Sequence, residues 1–176
     1  MAGSLIKIDE EIVSSATASF TLGGSDWDSS YDVYMVKMNN VQLDTDTKNI
    51  QYRFTASNTP QTTANYDYAS KNLRANTSFA NESNTNLTFL YINSSTGTGT
   101  ATGETTQAIL YLFNFNNSSE YSFVTKEELA RDYNGALRGG QGGGVYTVAE
   151  AHNGIHFFTN AGNIASGTFT LYGLKK

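Results

Sequence analysis

The chain ends in the stretch Ser166-Gly167-Thr168-Phe169-Thr170-Leu171-Tyr172-Gly173-Leu174. Along it, Phe169, Leu171 and Gly173 point to one side, and the Thr and Tyr side chains between them point to the other. Alternation with a period of two residues predicts a half-buried β-strand. A second apolar stretch, residues 155–158, precedes it across an Asn/Gly-rich turn at residues 159–163. The simplest arrangement of two such stretches is an antiparallel hairpin.

Apolar alternation recurs upstream, at residues 16–22, 50–55 and 87–92. Two further stretches, residues 31–38 and 107–115, are apolar on both faces, which predicts strands in the middle of a sheet that are covered on each side. Turn signals separate these stretches, so that about eight to ten strands are expected. The pattern predicts an all-β fold, an antiparallel β-sandwich or a barrel, and the two central strands favour two packed sheets.

Three segments interrupt the alternation. Thr125 and Glu128 have the spacing of a capping box, which predicts one short helix over residues 126–133. The glycine-rich residues 139–144 predict a loop or bulge, because glycine loses the most conformational entropy in a regular element. The Ser/Thr/Gly-rich residues 94–106 predict a segment that is flexible unless a partner holds it.

The chain has 176 residues, a formal net charge of -5 and no cysteine. This length predicts one domain over residues 1–176, with residues 1–12 as a candidate N-terminal arm. The lack of cysteine excludes disulfides and thiolate metal sites. Scattered Lys and Arg residues in an acidic chain do not suit nucleic acid as a partner. No apolar run approaches the ~20 residues of a membrane-spanning helix, and the first residues lack the pattern of a signal peptide.

The sequence predicts no cofactor and no metal ion. Asp44, Asp46 and Asn49 resemble the start of a calcium loop. However, Asn49 stands where that loop needs glycine, and Thr55 stands where it needs an acidic residue. An ordinary polar turn is the better interpretation of this segment.

No group of residues predicts catalysis. His152 and His156 have Asn153-Gly154 between them, which favours a turn entering a strand over a helical metal site. The acidic residues 9–11 and 127–128 are typical of solvated turn and helix-start charges rather than of a glycosidase acid/base pair.

The only tryptophan, Trp27, lies between Asp26 and Asp28. An exposed tryptophan flanked by carboxylates can stack on a sugar ring, because an aromatic plane suits the C–H face of the sugar. The other interpretation is that Trp27 closes one end of the sandwich.

Two stretches resemble segments of a class of small bacteriophage virion proteins. The first is Trp27-Asp28-Ser29-Ser30-Tyr31-Asp32-Val33-Tyr34, and the second is Asn163-Ile164-Ala165-Ser166-Gly167-Thr168-Phe169-Thr170-Leu171-Tyr172-Gly173-Leu174. Between them, residues 50–54 and 153–157 occupy positions where that class has strands. The resemblance spans most of the chain, and its motifs are structural. It implies a jelly-roll-like β-sandwich of the kind found in capsid cement or decoration proteins of tailed phages and in modules of tail fibres.

From this resemblance we expect a non-enzymatic cement protein, made in the bacterial cytoplasm and located on the virion. It would form homotrimers and bind the outer surface of the major capsid protein shell. The candidate contact residues are aromatic, because tyrosine and tryptophan are enriched in interfaces, although each of these tyrosines could instead pack along the sandwich. They are Trp27, Tyr31, Tyr66, Tyr68 and Tyr146. The alternative is a tail-fibre or spike module that binds host glycans through Trp27 and loop tyrosines, and a glycan hydrolase ranks last.

Overall fold

The computed structural model describes residues 4–76, 78–93 and 97–175. Within them the chain forms two antiparallel sheets, one of eight strands and one of five, packed as a sandwich. A 3-10 turn, Gly24–Asp26, is the only helical segment of this part of the chain. The strands in chain order are β1 (Leu5–Val13), β2 (Ser19–Gly23), β3 (Val33–Leu43), β4 (Ile50–Ala56), β5 (Thr59–Pro60), β6 (Tyr66–Arg74), β7 (Ala80–Leu87), β8 (Leu90–Tyr91), β9 (Thr106–Phe113), β10 (Ser122–Arg131), β11 (Leu137–Tyr146), β12 (Gly154–Thr159) and β13 (Ile164–Leu174).

Eight of these strands follow the path of a jelly roll, in which the chain passes repeatedly from one sheet to the other. The order β1-β13-β3-β9 forms one half of the large sheet, and β2-β12-β4 with β8 on the edge of β4 forms the small sheet. We call β1, β13, β3 and β9 the jelly-roll half of the large sheet. The expected all-β sandwich of the jelly-roll type is confirmed.

Four further strands widen the large sheet beyond β9 in the order β10-β11-β6-β7. We call them the added half. β10 and β11 pair over ten residues, and β11 then pairs with β6 over nine. With the short strand β5, which pairs with β4, these four strands raise the number in the described residues to thirteen. This is above the expected range, because the glycine-rich and polar stretches also form strands.

The core lies between the two sheets and is rich in aromatic side chains. Phe157 of the small sheet and Phe169 of the large sheet are fully buried, with ring centroids 5.1 Å apart. Phe54 packs 4.7 Å from Phe115 by the same measure. Burial of each such side chain contributes about 1.5–3 kcal/mol to folding.

The predicted C-terminal hairpin is wrong. β12 pairs with β2 and β4 in the small sheet, whereas β13 pairs with β1 and β3 in the large sheet. The turn between β12 and β13 therefore crosses from one sheet to the other. Alternation correctly indicated two strands with apolar faces, but it cannot distinguish strands that pair by hydrogen bonds from strands that face each other across a core.

The predicted helix over residues 126–133 and the predicted loop over residues 139–144 are also wrong, since residues 126–131 lie in β10 and residues 139–144 lie in β11. β10 is hydrogen-bonded on both sides, to β9 and to β11, and this pairing outweighs a local capping signal. In β11 glycine is required by close approach of neighbouring backbones. A Cβ atom at Gly142 would overlap the Ala69 carbonyl oxygen, and one at Gly143 would overlap that of Val124.

Two other expectations need correction. In place of a free arm, residues 5–12 belong to edge strand β1, which pairs with β13, and residues 1–3 lie outside the described part of the chain. Of the predicted flexible segment 94–106, residues 94–96 also lie outside it. The remainder is held within the chain itself. Thr98 is fully buried, and its hydroxyl lies 3.0 Å from that of Thr106.

Candidate interaction surface

Trp27 is held in place at one end of the sandwich by neighbouring side chains. Its ring centroid lies 3.9 Å from that of Tyr34 and 5.7 Å from that of Phe115. Its indole N–H donates to the side-chain oxygen of Asn116, 2.8 Å away. The Asn116 amide in turn donates to the carbonyl oxygen of Tyr31 and to the hydroxyl of Tyr34, each at 2.7 Å. This packing corresponds to the second interpretation of Trp27, in which the side chain closes the end of the fold.

The two stretches that resemble virion proteins meet at this end. In the register of β3 and β13, Tyr34 lies opposite Gly173. A Cβ atom at Gly173 would overlap the ring of Tyr31, so this position accepts only glycine while Tyr31 keeps its place. The Tyr34 hydroxyl donates to the Asp28 carbonyl oxygen at 2.6 Å. The residue pattern of each stretch is thus explained by its contacts with the other stretch.

Two of the five candidate contact residues are core residues. Tyr66 and Tyr146 are 0% and 2% exposed, and their ring centroids are 4.7 Å apart. As contact residues of the folded chain they are therefore wrong. They belong to the alternative in which tyrosines pack along the sandwich. Trp27, Tyr31 and Tyr68 are partly exposed.

Several exposed apolar side chains lie on the outer face, which we define as the side of the eight-stranded sheet turned away from the small sheet. On β9 and β10, Ile109, Tyr111, Phe123 and Leu129 are 38–51% exposed. Leu73 on β6 is 42% exposed and lies two strands from Leu129 in the same register. A contiguous apolar area of this kind indicates a site of protein contact.

A row of charged residues crosses the outer face. The strand registers align Glu10 on β1, Lys37 on β3, Glu127 on β10 and Lys71 on β6. The uncharged residues between them in the same row are Thr170, Ile109 and Gln141. We call this the charged row. In the described part of the chain Lys37, Lys71 and Glu127 form no ion pair, whereas Glu10 lies 3.2 Å from Lys7.

Glycines of β11 deepen the outer face beside this row. Gly139 lies between Leu129 of β10 and Leu73 of β6 and has no side chain to fill the gap. The resulting pocket has a volume of about 550 Å³ and is also lined by Lys37 and Glu127. The outer face is therefore not flat, because it has a pocket at Gly139 between Leu129 and Leu73.

The inner face of the added half holds a buried polar cluster, formed by Ser70, Asn72, Lys126 and Glu128. The Lys126 ammonium donates to the carbonyl oxygens of Tyr91 and Ile92, at 3.0 and 2.5 Å. Burial lowers the pKa of Lys126 and raises the pKa of Glu128 to about 7. Glu128 was expected to be a solvated helix-start charge, and its burial corrects that prediction.

Three atoms of the polar cluster, the Ser70 Oγ, the Asn72 Nδ2 and the Glu128 Oε2, have no hydrogen-bond partner in the described residues. Two glycines of β11 lie between the members of the cluster. Gly140 pairs with Glu128 on one side and with Asn72 on the other. Gly142 pairs in the same way with Lys126 and with Ser70. Buried polar atoms without protein partners are typical of sites that hold water.

His152 and His156 lie in different environments. His152 is buried among Phe54, Phe115 and Tyr146, and its Nδ1 lies 2.8 Å from the Ser122 hydroxyl. Burial lowers the pKa of His152 to about 4, so its 3.5 Å contact with the Glu150 carboxylate is not an ion pair at neutral pH. The Nδ1 of His156 forms a hydrogen bond with the Thr21 hydroxyl, 2.9 Å away.

The turn that resembled a calcium loop joins two loops of the sandwich. Both Asp44 carboxylate oxygens accept hydrogen bonds from Asn163, one from its backbone N–H and one from its side-chain amide, each at 2.8 Å. These hydrogen bonds lower the pKa of Asp44. Across residues 4–76, 78–93 and 97–175, no three His, Asp or Glu side chains are grouped so that they could hold a metal ion.

No helix in the described residues has the length and apolar character needed to cross a membrane. Compared with models of protein families, with curated proteins and with solved structures, the chain gives no match in any of the three comparisons.

Sequence analysis missed both the outer face and the polar cluster, although it identified the aromatic residues around Trp27. Each missed site is assembled from strands that are distant in the sequence, and their register is set by pairing. The signal that could have found β10 is its own alternation, in which Val124, Lys126 and Glu128 point inward while Phe123 and Leu129 point outward. A buried lysine and glutamate conceal that pattern, because charged residues are rarely buried.

Proposed function

We propose that this chain is a non-enzymatic structural protein of a tailed-phage virion, a cement or decoration protein that binds the outer surface of the major capsid protein shell. The observation that carries the proposal is the contact between the two stretches that resemble such proteins. Tyr31 lies over Gly173, and Tyr34 pairs with the same residue across β3 and β13. Two distant stretches that resemble a known class, and whose residues require one another in the fold, support the proposal that this chain shares the architecture of that class.

The outer face supports a role that depends on protein contacts. Its exposed apolar side chains, among them Phe123 and Leu129, suit burial against another protein surface. A cement protein works by adding buried area across the seams between capsomers, which internal pressure pulls apart. The expected partners are therefore the major capsid protein and further copies of this chain, with the trimer as the assembly that the resemblance implies.

Cryo-electron microscopy of intact virions tests the proposal directly. We expect density for this sandwich to repeat over the capsid shell, at positions that bridge neighbouring capsomers. Density confined to the tail would overturn the cement role and favour the receptor-binding alternative.

A binding experiment provides the matching biochemical test. Purified labelled protein should bind saturably to capsids prepared without it, and unlabelled protein should displace it. Capsids with the protein restored should release their DNA at a higher temperature than capsids without it. Equal thermal release from the two preparations, despite full occupancy, would contradict a stabilising role.

A further inference from the structure

The outer face of the large sheet lacks the cover that its sequence predicts. β9 is apolar on both faces, and such a strand is expected to be covered on each side. Its inner residues Leu110 and Leu112 are fully buried by the rest of the chain, whereas Ile109 and Tyr111 on the other side are each 38% exposed. We propose that a second copy of this chain covers the outer face, related to the first by a two-fold axis that runs along β9.

The charged row identifies a second copy as the occupant. With Ile109 at its centre, the row carries Lys37 one strand to one side and Glu127 one strand to the other. Three strands out it carries Glu10 and Lys71 on the corresponding sides. Rotation about an axis along β9 reverses the order of the strands and places every acidic residue opposite a basic one. A surface that complements itself in this way is what an isologous interface requires.

In the next row of the outer face, the same rotation brings a large side chain opposite a glycine. With Tyr111 at its centre, this row carries Tyr172 two strands to one side and Gly143 two strands to the other. The same rotation places the Tyr172 ring of one copy opposite Gly143 of its partner, a position that carries no side chain. Tyr111 then meets its own copy on the axis, in the central position where aromatic residues contribute most to binding.

The area is sufficient for a specific interface. With the axis along β9, seven strands overlap, three on each side of β9. At about 4.8 Å between strands and about 6.8 Å between four rows, the shared face measures roughly 29 by 20 Å, or about 600 Å² per copy and about 1,200 Å² in total. Specific protein interfaces bury about 1,200–2,000 Å² in total, so this face lies at the lower end of that range. Packed sheets cross at about 30°, so the central pair of Lys37 and Glu127 keeps its register better than the outer pair of Glu10 and Lys71.

This inference concerns association in solution, and of the two partners proposed above for the outer face it assigns that face to a further copy of this chain. A two-fold contact joins copies in pairs, so it predicts an assembly with an even number of chains. If the expected trimer contact also forms, the combination of the two gives a hexamer with D3 symmetry.

Charge reversal at the central pair tests the inference. Lys37→Glu and Glu127→Lys each place like charges opposite each other twice in the dimer, and each should raise the dissociation constant by about tenfold or more. The double variant Lys37→Glu with Glu127→Lys restores both pairs and should return the dissociation constant close to the wild-type value. Sedimentation equilibrium measures the constants, and circular dichroism on the same samples checks that each variant is folded.

Rescue by the double variant distinguishes a second copy from any other occupant. A second copy carries both compensating changes, whereas a different protein would keep its own charges and would meet two reversed charges. A wild-type chain that stays monomeric up to ~1 mM would overturn the inference. It would also be overturned if folded single variants assemble as well as the wild type, or if the double variant fails to restore an association that both single variants have lost.

A cross-linking experiment tests the position of the axis. The chain has no cysteine, so Ile109→Cys introduces one thiol that should face its own copy. Facing sheets lie about 10 Å apart, so a short bis-maleimide reagent should join two such chains rapidly. Ser25→Cys, on the exposed 3-10 turn, is the control and should cross-link slowly. Equal rates for the two variants in a sample that is associated would contradict an axis along β9.

Discussion

One continuous row on the inner face of the large sheet changes its chemistry halfway across. In the jelly-roll half the row consists of Leu171, Val36 and Leu110, which are essentially inaccessible. In the added half the same row continues as Lys126 and Gly142 and then Ser70. The two halves share one hydrogen-bonded sheet, yet one side buries hydrocarbon and the other buries polar groups.

The difference follows from what covers each half. The jelly-roll half faces the aromatic side chains of the small sheet, including Phe157, so apolar residues gain most from burial there. Part of the added half faces a backbone segment, whose carbonyl oxygens at Tyr91 and Ile92 need donors. A lysine supplies those donors, and the glycines of β11 leave room for the polar side chains. The first half is thus stabilised chiefly by hydrophobic burial, and the second depends on hydrogen bonds and close backbone approach.

The largest effect is expected from a cavity in the core between the jelly-roll half and the small sheet. Phe157→Ala removes a fully buried ring that contacts Phe20, Tyr52 and Phe169, and it should lower the free energy of unfolding by about 4 kcal/mol. The matched control is the neighbouring Phe158→Ala, a half-buried ring on the opposite face of β12. That change should cost about 1 kcal/mol. Urea denaturation measures both. Equal losses would contradict a hydrophobic core located between the two sheets.

The same contrast explains how much of the fold could be predicted from the sequence. β3, β9 and β13 belong mainly to the jelly-roll half, where alternation of apolar residues is strong, and all three strands were predicted. The added half was missed at β10 and β11, where inward positions hold Lys126, Glu128 and glycine. Periodicity arguments depend on apolar residues that face a core, and they fail where the buried face is polar or has no side chains.

The site was less predictable than the fold. Trp27 and Tyr31 were identified because aromatic residues stand out in a polar loop, and they are partly exposed. Tyr66 has the same residue type but lies in the core, a difference that depends on which face of β6 turns inward. The charged row consists of residues from distant strands, such as Lys37 and Glu127, and it exists only after register is set by pairing.

The second effect in size should occur within the added half alone. Gly142→Ala forces a methyl group into the Ala69 carbonyl oxygen and should cost about 3 kcal/mol. Hydrogen exchange should show that protection falls in β10, β11, β6 and β7 while β12 and β13 keep theirs. Gly139→Ala is the control. There the nearest backbone atom, the Glu128 carbonyl oxygen, would lie 3.3 Å from the new methyl group, and the change should stay within about 1 kcal/mol. Uniform loss of protection over both sheets would mean that the two halves unfold as a single unit.

The last effect distinguishes the buried Glu128 of the polar cluster from the buried His152 by the sign of the pH dependence that each produces. The pKa of Glu128 is raised from 4.5 to about 7 in the folded chain, so its contribution to stability is complete below pH 4.5 and is lost as pH rises through 7. The pKa of His152 is lowered from 6.5 to about 4, so its contribution is complete above pH 6.5 and is lost as pH falls through 4. Each group should change the free energy of unfolding by roughly 3 kcal/mol across its range.

Two substitutions separate these contributions when urea unfolding is measured from pH 4 to pH 8. Glu128→Gln should remove the loss of stability on the alkaline side, and His152→Gln should remove the loss on the acid side. Glu127→Gln removes the same charge as Glu128→Gln from the exposed outer face and should leave the slope unchanged. If Glu127→Gln and Glu128→Gln flatten the profile equally, the effect comes from net charge. A buried carboxyl in the added half would then not be its cause, and the proposed contrast in chemistry between the two halves would lose its clearest signature in solution.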